Sequence, residues 1–138
     1  LAAIASDVVP LSGTGAGERD AALVLALASV GGIRCVVAAQ DRDAPAPIGP
    51  GGLRTARRGM ALAQQLRLPL LTVVDTPGAE LSVDAEERAM AGEIARCIGR
   101  LATLEVPSLA VILGQGCGGG ALALLDADPA AQPGMPVR

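Results

Sequence analysis

The chain contains no phenylalanine, tyrosine or tryptophan, while 27 alanines and 18 glycines make up a third of its 138 residues. Without rings to fill space, each buried residue removes little apolar area from water, so a stable core requires backbones that approach closely. Layers of strand and helix with small residues between them meet that requirement. The small residues follow no collagen-like period, and the length suits one domain rather than two. Histidine is absent as well. An imidazole base, a tyrosine acid or an aromatic cage within the chain is therefore excluded, and chemistry falls to carboxylates, thiols, hydroxyls, basic side chains or the backbone itself.

Fourteen acidic residues against eleven basic ones leave a formal net charge of −3. No basic stripe or stacking platform exists to grip a phosphate backbone, so no nucleic-acid partner is expected. The longest apolar run, residues 21–28, is too short to cross a bilayer, and no membrane partner is expected. The first ten residues carry Asp7 and no basic segment, which argues against a secretory leader. Cys35, Cys97 and Cys117 are widely spaced and odd in number, as suits reduced thiols in a cytoplasmic protein.

The apolar pattern of residues 21–29 stops at Gly31 and Gly32, which reads as a helix with a glycine C-terminus. Residues 35–39, centred on Val36 and Val37, read as a buried strand. Pro45, Pro47 and Pro50 make residues 44–52 a loop that no helix passes through. Leu53, Ala56, Met60, Ala63 and Leu66 recur at helical spacing, with Arg54, Arg57, Arg58, Gln64 and Gln65 opposite, so residues 53–66 form an amphipathic helix ended by Pro69. Residues 70–74 are continuously apolar, as in the middle of a parallel sheet. Asp84 and Glu87 suggest a capping box at the start of the next helix. Met90, Ile94, Cys97 or Ile98, and Leu101 form its buried face, and Glu86, Glu93, Arg96 and Arg100 point outward or toward a partner. A third apolar strand spans residues 109–113, a glycine-dense turn spans 114–120, and a short helix spans 121–125. Alternating strand and helix with right-handed crossovers predicts adjacent parallel strands in an α/β domain over residues 1–126. Residues 127–138 read as a proline-rich tail.

Two segments carry the functional signal, because ligands of parallel sheets collect beyond the carboxyl ends of the strands. One is Asp75-Thr76-Pro77-Gly78-Ala79; the other is Gly114-Gln115-Gly116-Cys117-Gly118-Gly119-Gly120. Glycine lets main-chain N–H groups meet a ligand with no Cβ in the way, and the helix that follows adds positive potential at its start. Such a pair can stabilise an oxyanion. Tight packing of the last helix on the sheet explains the same glycines equally well. No Walker A lysine follows, and a dinucleotide fingerprint would demand an earlier loop and a longer helix. Asp75 stands alone as a carboxylate and can orient the amides around Pro77 and Gly78. Cys117 has no histidine to activate it and reads as a packing residue. The four helix arginines Arg57, Arg58, Arg96 and Arg100 pair with nearby glutamates or face solvent.

Over about residues 50–125 the sequence resembles the carboxyltransferase component of biotin-dependent acyl-CoA carboxylases, above all the half corresponding to the bacterial acetyl-CoA carboxylase alpha subunit. The similar stretches are Arg57-Arg58-Gly59-Met60-Ala61-Leu62-Ala63, then Leu68-Pro69-Leu70-Leu71-Thr72-Val73-Val74-Asp75-Thr76-Pro77-Gly78-Ala79, Ala85-Glu86-Glu87-Arg88, Glu93-Ile94-Ala95-Arg96, Val106-Pro107, and residues 114–123. The resemblance implies a crotonase-like (ClpP/crotonase superfamily) β-β-α spiral, incomplete or truncated here. It implies transfer of carboxylate from carboxybiotin, carried on a biotin carboxyl carrier protein, to the α-carbon of a coenzyme A thioester, with no metal in this chain. Gly119, Gly120 and Ala121 would face the biotin ureido oxygen, and Gly78, Ala79, Gly116 and Gly118 would shape the biotin pocket. The partners implied are the carrier, a complementary acyl-CoA-binding half and further copies in an oligomer. An inactive assembly protein of the same fold, and a biotin-independent acyl-CoA enzyme of that fold, are the alternative expectations.

Overall fold

A computed structural model describes residues 4–125. The proline-rich tail expected over residues 127–138 lies outside the described residues. Five strands form one sheet in sequence order: β1 (Ala5–Leu11), β2 (Leu23–Val30), β3 (Ile33–Gln40), β4 (Leu70–Thr76) and β5 (Ser108–Gly116). The first three pair antiparallel, and β3, β4 and β5 pair parallel. Between β3 and β4 runs helix α1 (Pro50–Leu66); between β4 and β5 run α2 (Val83–Glu87) and α3 (Met90–Ala102); α4 (Gly118–Leu122) follows β5. The parallel strands joined through helices agree with the alternation in the sequence, and β4 lies inside the sheet as its unbroken apolar run requires.

The segment expected to be the first helix is strand β2. Its register with β3 brings Val30 opposite Ile33, leaving Gly31 and Gly32 as a two-residue turn with φ of +58° and +82°. Positive φ at both central positions is what a hairpin turn matching the twist of the strands demands, so the glycine pair closes a hairpin rather than ending a helix. Leu23, Leu25 and Leu27 then point to the helix side by simple alternation. Eight apolar residues in a row do not themselves choose between the two periods.

Alternation divides the sheet into two faces. Leu23, Leu25, Val36, Ala38, Leu70 and Val74 meet Leu53, Ala56, Met60 and Ala63 of α1, and Met90, Cys97 and Leu101 of α3. The opposite face carries Ala28, Cys35, Val37, Ala39, Leu71 and Val73. A Cβ added at Gly59 would stand 2.6 Å from Leu25 Cδ1, so α1 sits as close to the sheet as a side-chain-free position allows. Leu66, expected on the buried face, is half exposed because α1 unwinds there: Arg67 takes a left-handed φ of +53°, and Leu68 N–H bonds Ala63 O at 3.0 Å. This left-handed turn, rather than Pro69, terminates the helix.

The start of α1 also departs from expectation. Pro50 opens it, a position where the missing N–H has no helical acceptor in any case. Gly49 offers no side chain, and Asp20, 29 residues upstream, supplies the cap. Its Oδ2 accepts from Gly49 N–H at 3.0 Å and Gly52 N–H at 2.9 Å, while Oδ1 accepts from Ala22 N–H at 2.9 Å. The predicted single helix over α2 and α3 is broken at Ala89, whose φ is +64°. Its cap is Ser82 rather than Asp84, with Ser82 Oγ accepting from Ala85 N–H at 3.0 Å. Arg54 reaches from α1 to the carbonyl of Arg88 at 2.9 Å and holds the chain at the break.

Glu93, expected to point outward or toward a partner, is only 4% exposed. Three guanidiniums surround it: Arg96 at 2.9 Å, Arg57 at 3.0 Å and Arg54 at 3.3 Å. Arg54 also meets Glu18 at 3.0 Å, and Glu18 pairs in turn with Arg88. Burial pushes the Glu18 carboxyl up, but hydrogen bonds from Arg54 and Arg88 outweigh it and hold the group below its ordinary 4.5.

Three outcomes follow from these contacts. Asp20→Ala leaves two helix-start amides without their acceptor and is expected to lower stability by about 1–2 kcal/mol, read from denaturant unfolding. A carboxyl whose folded value is depressed contributes stability above its unfolded value and loses it as the pH falls through the folded one. The stability gap between wild type and Glu18→Gln should therefore be present at pH 7 and close as the pH drops below 4.5. Cys35 and Cys97 are buried, and burial pushes the Cys97 thiol up to about 12, whereas Cys117 is exposed. Mass spectrometry after brief native alkylation at pH 7 should find the label on Cys117 alone, with Cys35 and Cys97 modified only after denaturation.

Candidate functional site

Parallel pairing delivers the carboxyl ends of β3, β4 and β5 to one edge of the molecule, and both glycine-bearing segments meet there. Thr76, the last residue of β4, closes a tight turn with its hydroxyl: Oγ1 donates to Gly78 O and accepts from Gly78 N–H. Ala79 bridges to Ile48, and Glu80 N–H bonds Ile48 O at 3.0 Å, which pins the turn against the segment preceding α1. Asp75 takes a different part from the one expected. Its Oδ1 accepts from Gln115 N–H at 3.1 Å and from Arg42 Nη1 at 3.3 Å, so it orients the end of β5 and not the amides near Pro77. A Cβ on Gly114 would stand 2.5 Å from that same oxygen.

The strand β5 runs on through Gly114 and Gly116, residues expected in a turn, and Thr76 pairs with Gly116 after an irregularity in the ladder. Cys117 then caps α4, its N–H bonding Thr76 O at 3.3 Å. Gly118 has a φ of +66°, a left-handed conformation that glycine adopts without strain. A Cβ on Gly120 would lie 3.0 Å from Gly78 O and 3.0 Å from Ile48 Cγ2, so α4 packs directly on the Thr76 turn. The close-packing reading of the glycines therefore holds, and the same segments leave bare backbone at a cleft.

That cleft has a volume of about 550 Å³ and runs between Pro77–Leu81, the α2–α3 pair and the start of α4. Met90, Ala91 and Ile94 form its apolar wall, and Glu80 and Glu86 are its charged lining residues. Of the seven sequence-derived candidates, Gly78, Ala79, Gly118 and Gly119 line it. Gly120 and Ala121 are buried and do not line it, Gly120 packing on Gly78 and Ile48, and Gly116 lies apart, its would-be Cβ facing Ile112. At the start of α4, Gly118 and Gly119 bring main-chain groups without side chains to the cleft, while Cys117 N–H is already engaged by Thr76 O. Among the described residues no three His, Cys, Asp or Glu side chains cluster as metal ligands, and no helix is long and apolar enough to cross a membrane.

One polar residue at the site escaped the sequence reading. Gln40, at the end of β3, is 8% exposed and bonds Gly120 O through Nε2 at 2.9 Å and Asp75 N–H through Oε1 at 3.0 Å. A polar residue ending an otherwise buried strand, in phase with Val36 and Ala38, was the available signal.

Residues 1–131 match the family described as acetyl co-enzyme A carboxylase carboxyltransferase-like. Over 127 residues the chain is 50% identical to a Mycobacterium tuberculosis protein named "Probable biotin-dependent acyl-coenzyme A carboxylase beta3 subunit", covering 90% of this chain and 26% of that one. Over 130 residues it is 35% identical to the acetyl-coenzyme A carboxylase carboxyl transferase subunit alpha of Protochlamydia amoebophila, covering 88% of this chain and 41% of that one. The chain thus spans between a quarter and about two fifths of these relatives, which include both subunit types. Among solved structures, the transcarboxylase 12S core superposes with a TM-score of 0.79 at 24% identity over 89% of this chain and 24% of that one. The five-stranded sheet with its helices is therefore an incomplete crotonase/ClpP-like carboxyltransferase fold, as the resemblance implied. On the family match along nearly its whole length and the identity to relatives of both types, the chain belongs to the acetyl-coenzyme A carboxylase carboxyltransferase-like family.

Proposed function

We propose that this chain forms the carboxybiotin-facing part of an acyl-CoA carboxyltransferase, in the half corresponding to the alpha subunit. The observation that carries the reading is the convergence of Gly78 and Ala79 with Gly118 and Gly119 on one cleft at the carboxyl ends of β4 and β5, in a chain of this family. Carboxybiotin would supply the carboxyl group: its nitrogen–carboxyl bond would break as the carboxyl carbon bonds the α-carbon of the thioester, and the ureido nitrogen left behind would take up the proton that the α-carbon loses. Until that proton arrives, negative charge would gather on the ureido oxygen. Backbone N–H groups at Gly119, Gly120 and Ala121 are suited to receive it, because donors aimed at a developing charge lower the barrier without stabilising the substrate equally. Gly78, Ala79 and Gly118 would shape the pocket, Gly116 having been placed apart from it, and the apolar wall of Met90 and Ile94 suits the ring and chain of biotin. The thioester side is assigned to a complementary half, the carboxybiotin arrives on a biotin carboxyl carrier protein, and the working unit is an oligomer.

The test is carboxyl transfer from a carboxylated carrier to acetyl-CoA by the full-length protein assembled with its complementary half. Gly119→Val is the informative variant, since its Cβ would meet only the far end of Ile94, 2.6 Å away, and that flexible side chain can move. It is expected to cut kcat by about a hundredfold, which corresponds to about 3 kcal/mol, with folding retained. Gly120→Val, pressed against the Gly78 carbonyl, should lose stability as well as activity. Cys117→Ser should stay within about twofold of wild type. Absence of transfer by the wild-type assembly, or full activity in Gly119→Val, overturns the proposal; loss confined to Cys117→Ser restores a thiol mechanism.

A further inference from the structure

Resting on that functional reading, we infer that Gln40 is a positioning residue: its carboxamide sets the orientation of the Gly120–Ala121 peptide. The need for such a device follows from the size of α4. A helix of five residues has no stability of its own, and its placement depends on contacts with the sheet. Its carbonyls near the end lack helical partners in the usual way. Leu124 N–H and Leu125 N–H both bond Ala121 O, at 2.9 and 3.0 Å, which leaves Gly120 O to another donor. Gln40 Nε2 fills that place at 2.9 Å.

The other end of the same carboxamide is used as well. Gln40 Oε1 accepts from Asp75 N–H at 3.0 Å, so one buried side chain joins the ends of β3, β4 and α4. With both ends engaged, the amide plane is fixed, and freeing either end would strand a buried polar group. A trans peptide unit points its C=O and N–H in opposite directions. Holding Gly120 O toward Gln40 therefore directs Ala121 N–H away from it. This restraint matters most at glycine, whose backbone torsions are otherwise the least restricted.

Thr72 provides an internal comparison. Its hydroxyl donates to Leu124 O at 2.7 Å, a second buried latch between the sheet and the residues that follow α4. Thr72→Val and Gln40→Met each remove such a latch, but only Gln40 acts on the Gly120–Ala121 peptide. Thermal unfolding should show a loss in both variants, the larger in Gln40→Met, which removes two hydrogen bonds to the one removed by Thr72→Val. In the assembled enzyme, with kcat expressed per folded protein, Gln40→Met is expected to fall tenfold or more at unchanged KM for acetyl-CoA, while Thr72→Val remains within about twofold of wild type. Equal kcat in the two variants, or a Gln40→Met kcat within twofold of wild type, overturns the inference.

A second measurement separates this inference from the functional reading. Hydrogen exchange on the full-length protein should show the Asp75 amide losing at least tenfold protection in Gln40→Met but not in Thr72→Val. If the wild-type assembly transfers no carboxyl group, the functional reading fails, and with it the catalytic consequence assigned to Gln40. If wild-type transfer is present but Asp75 protection is unaltered in Gln40→Met, the positioning role fails alone.

Discussion

The approach of α4 to the Thr76 turn is the contact on which the site depends. A Cβ at Gly120 would stand 3.0 Å from the Gly78 carbonyl oxygen, so any larger residue there would push helix and turn apart. The cleft exists because two stretches of backbone meet without side chains between them. The same economy recurs at Gly59 against Leu25 and at Gly114 against Asp75. A chain without aromatic rings gains stability from this closeness, since dispersion contacts between small groups accumulate only when gaps are absent. The high alanine and glycine content thus serves packing throughout and leaves bare backbone at one edge.

Around this framework, a few carboxylates do most of the joining between elements distant in sequence. Asp20 caps α1 from the β1–β2 connection, and Glu18 from the same connection pairs with Arg54 and Arg88. Glu93 gathers Arg54, Arg57 and Arg96 between α1 and α3. Exposed ion pairs contribute about 0–1 kcal/mol each. Glu93 is the buried member of its group, and without its carboxylate Arg57 and Arg96 would lose their shared counter-charge while Arg54 would keep Glu18. These pairs also explain the broken helix: Arg54 binds the Arg88 carbonyl where an uninterrupted helix would have used that group internally. The α2–α3 break in turn bounds the cleft, with Glu86 on one side of it and Met90 on the other.

Amphipathic spacing marked α1, unbroken apolar runs marked β3, β4 and β5, and the alternation of strand and helix implied their parallel pairing. The two glycine-bearing segments were legible as candidates because strand ends in a parallel sheet share one edge. Short-range pattern failed where two periods fit equally well, as in β2, or where the deciding partner was remote. Asp84 looked like a cap, yet Ser82 holds that place. Glu93 carried the charge of a surface residue, and three arginines from two helices made it a buried one.

What the sequence alone determined is the type of chemistry open to the chain and the residues able to supply bare backbone. Composition excluded imidazole and aromatic groups, and the order of motifs identified the family. Only the tertiary structure decided which of those glycines share a surface. It brought Gly78, Ala79, Gly118 and Gly119 to the cleft, buried Gly120 and Ala121 outside its lining, and left Gly116 facing Ile112. It also made Gln40 the link between β3, β4 and α4. The physical reason is that hydrophobic periodicity is a local property, readable within one element. A hydrogen bond from Gln40 to Gly120 depends on strand register and helix placement across eighty residues, which no local pattern encodes.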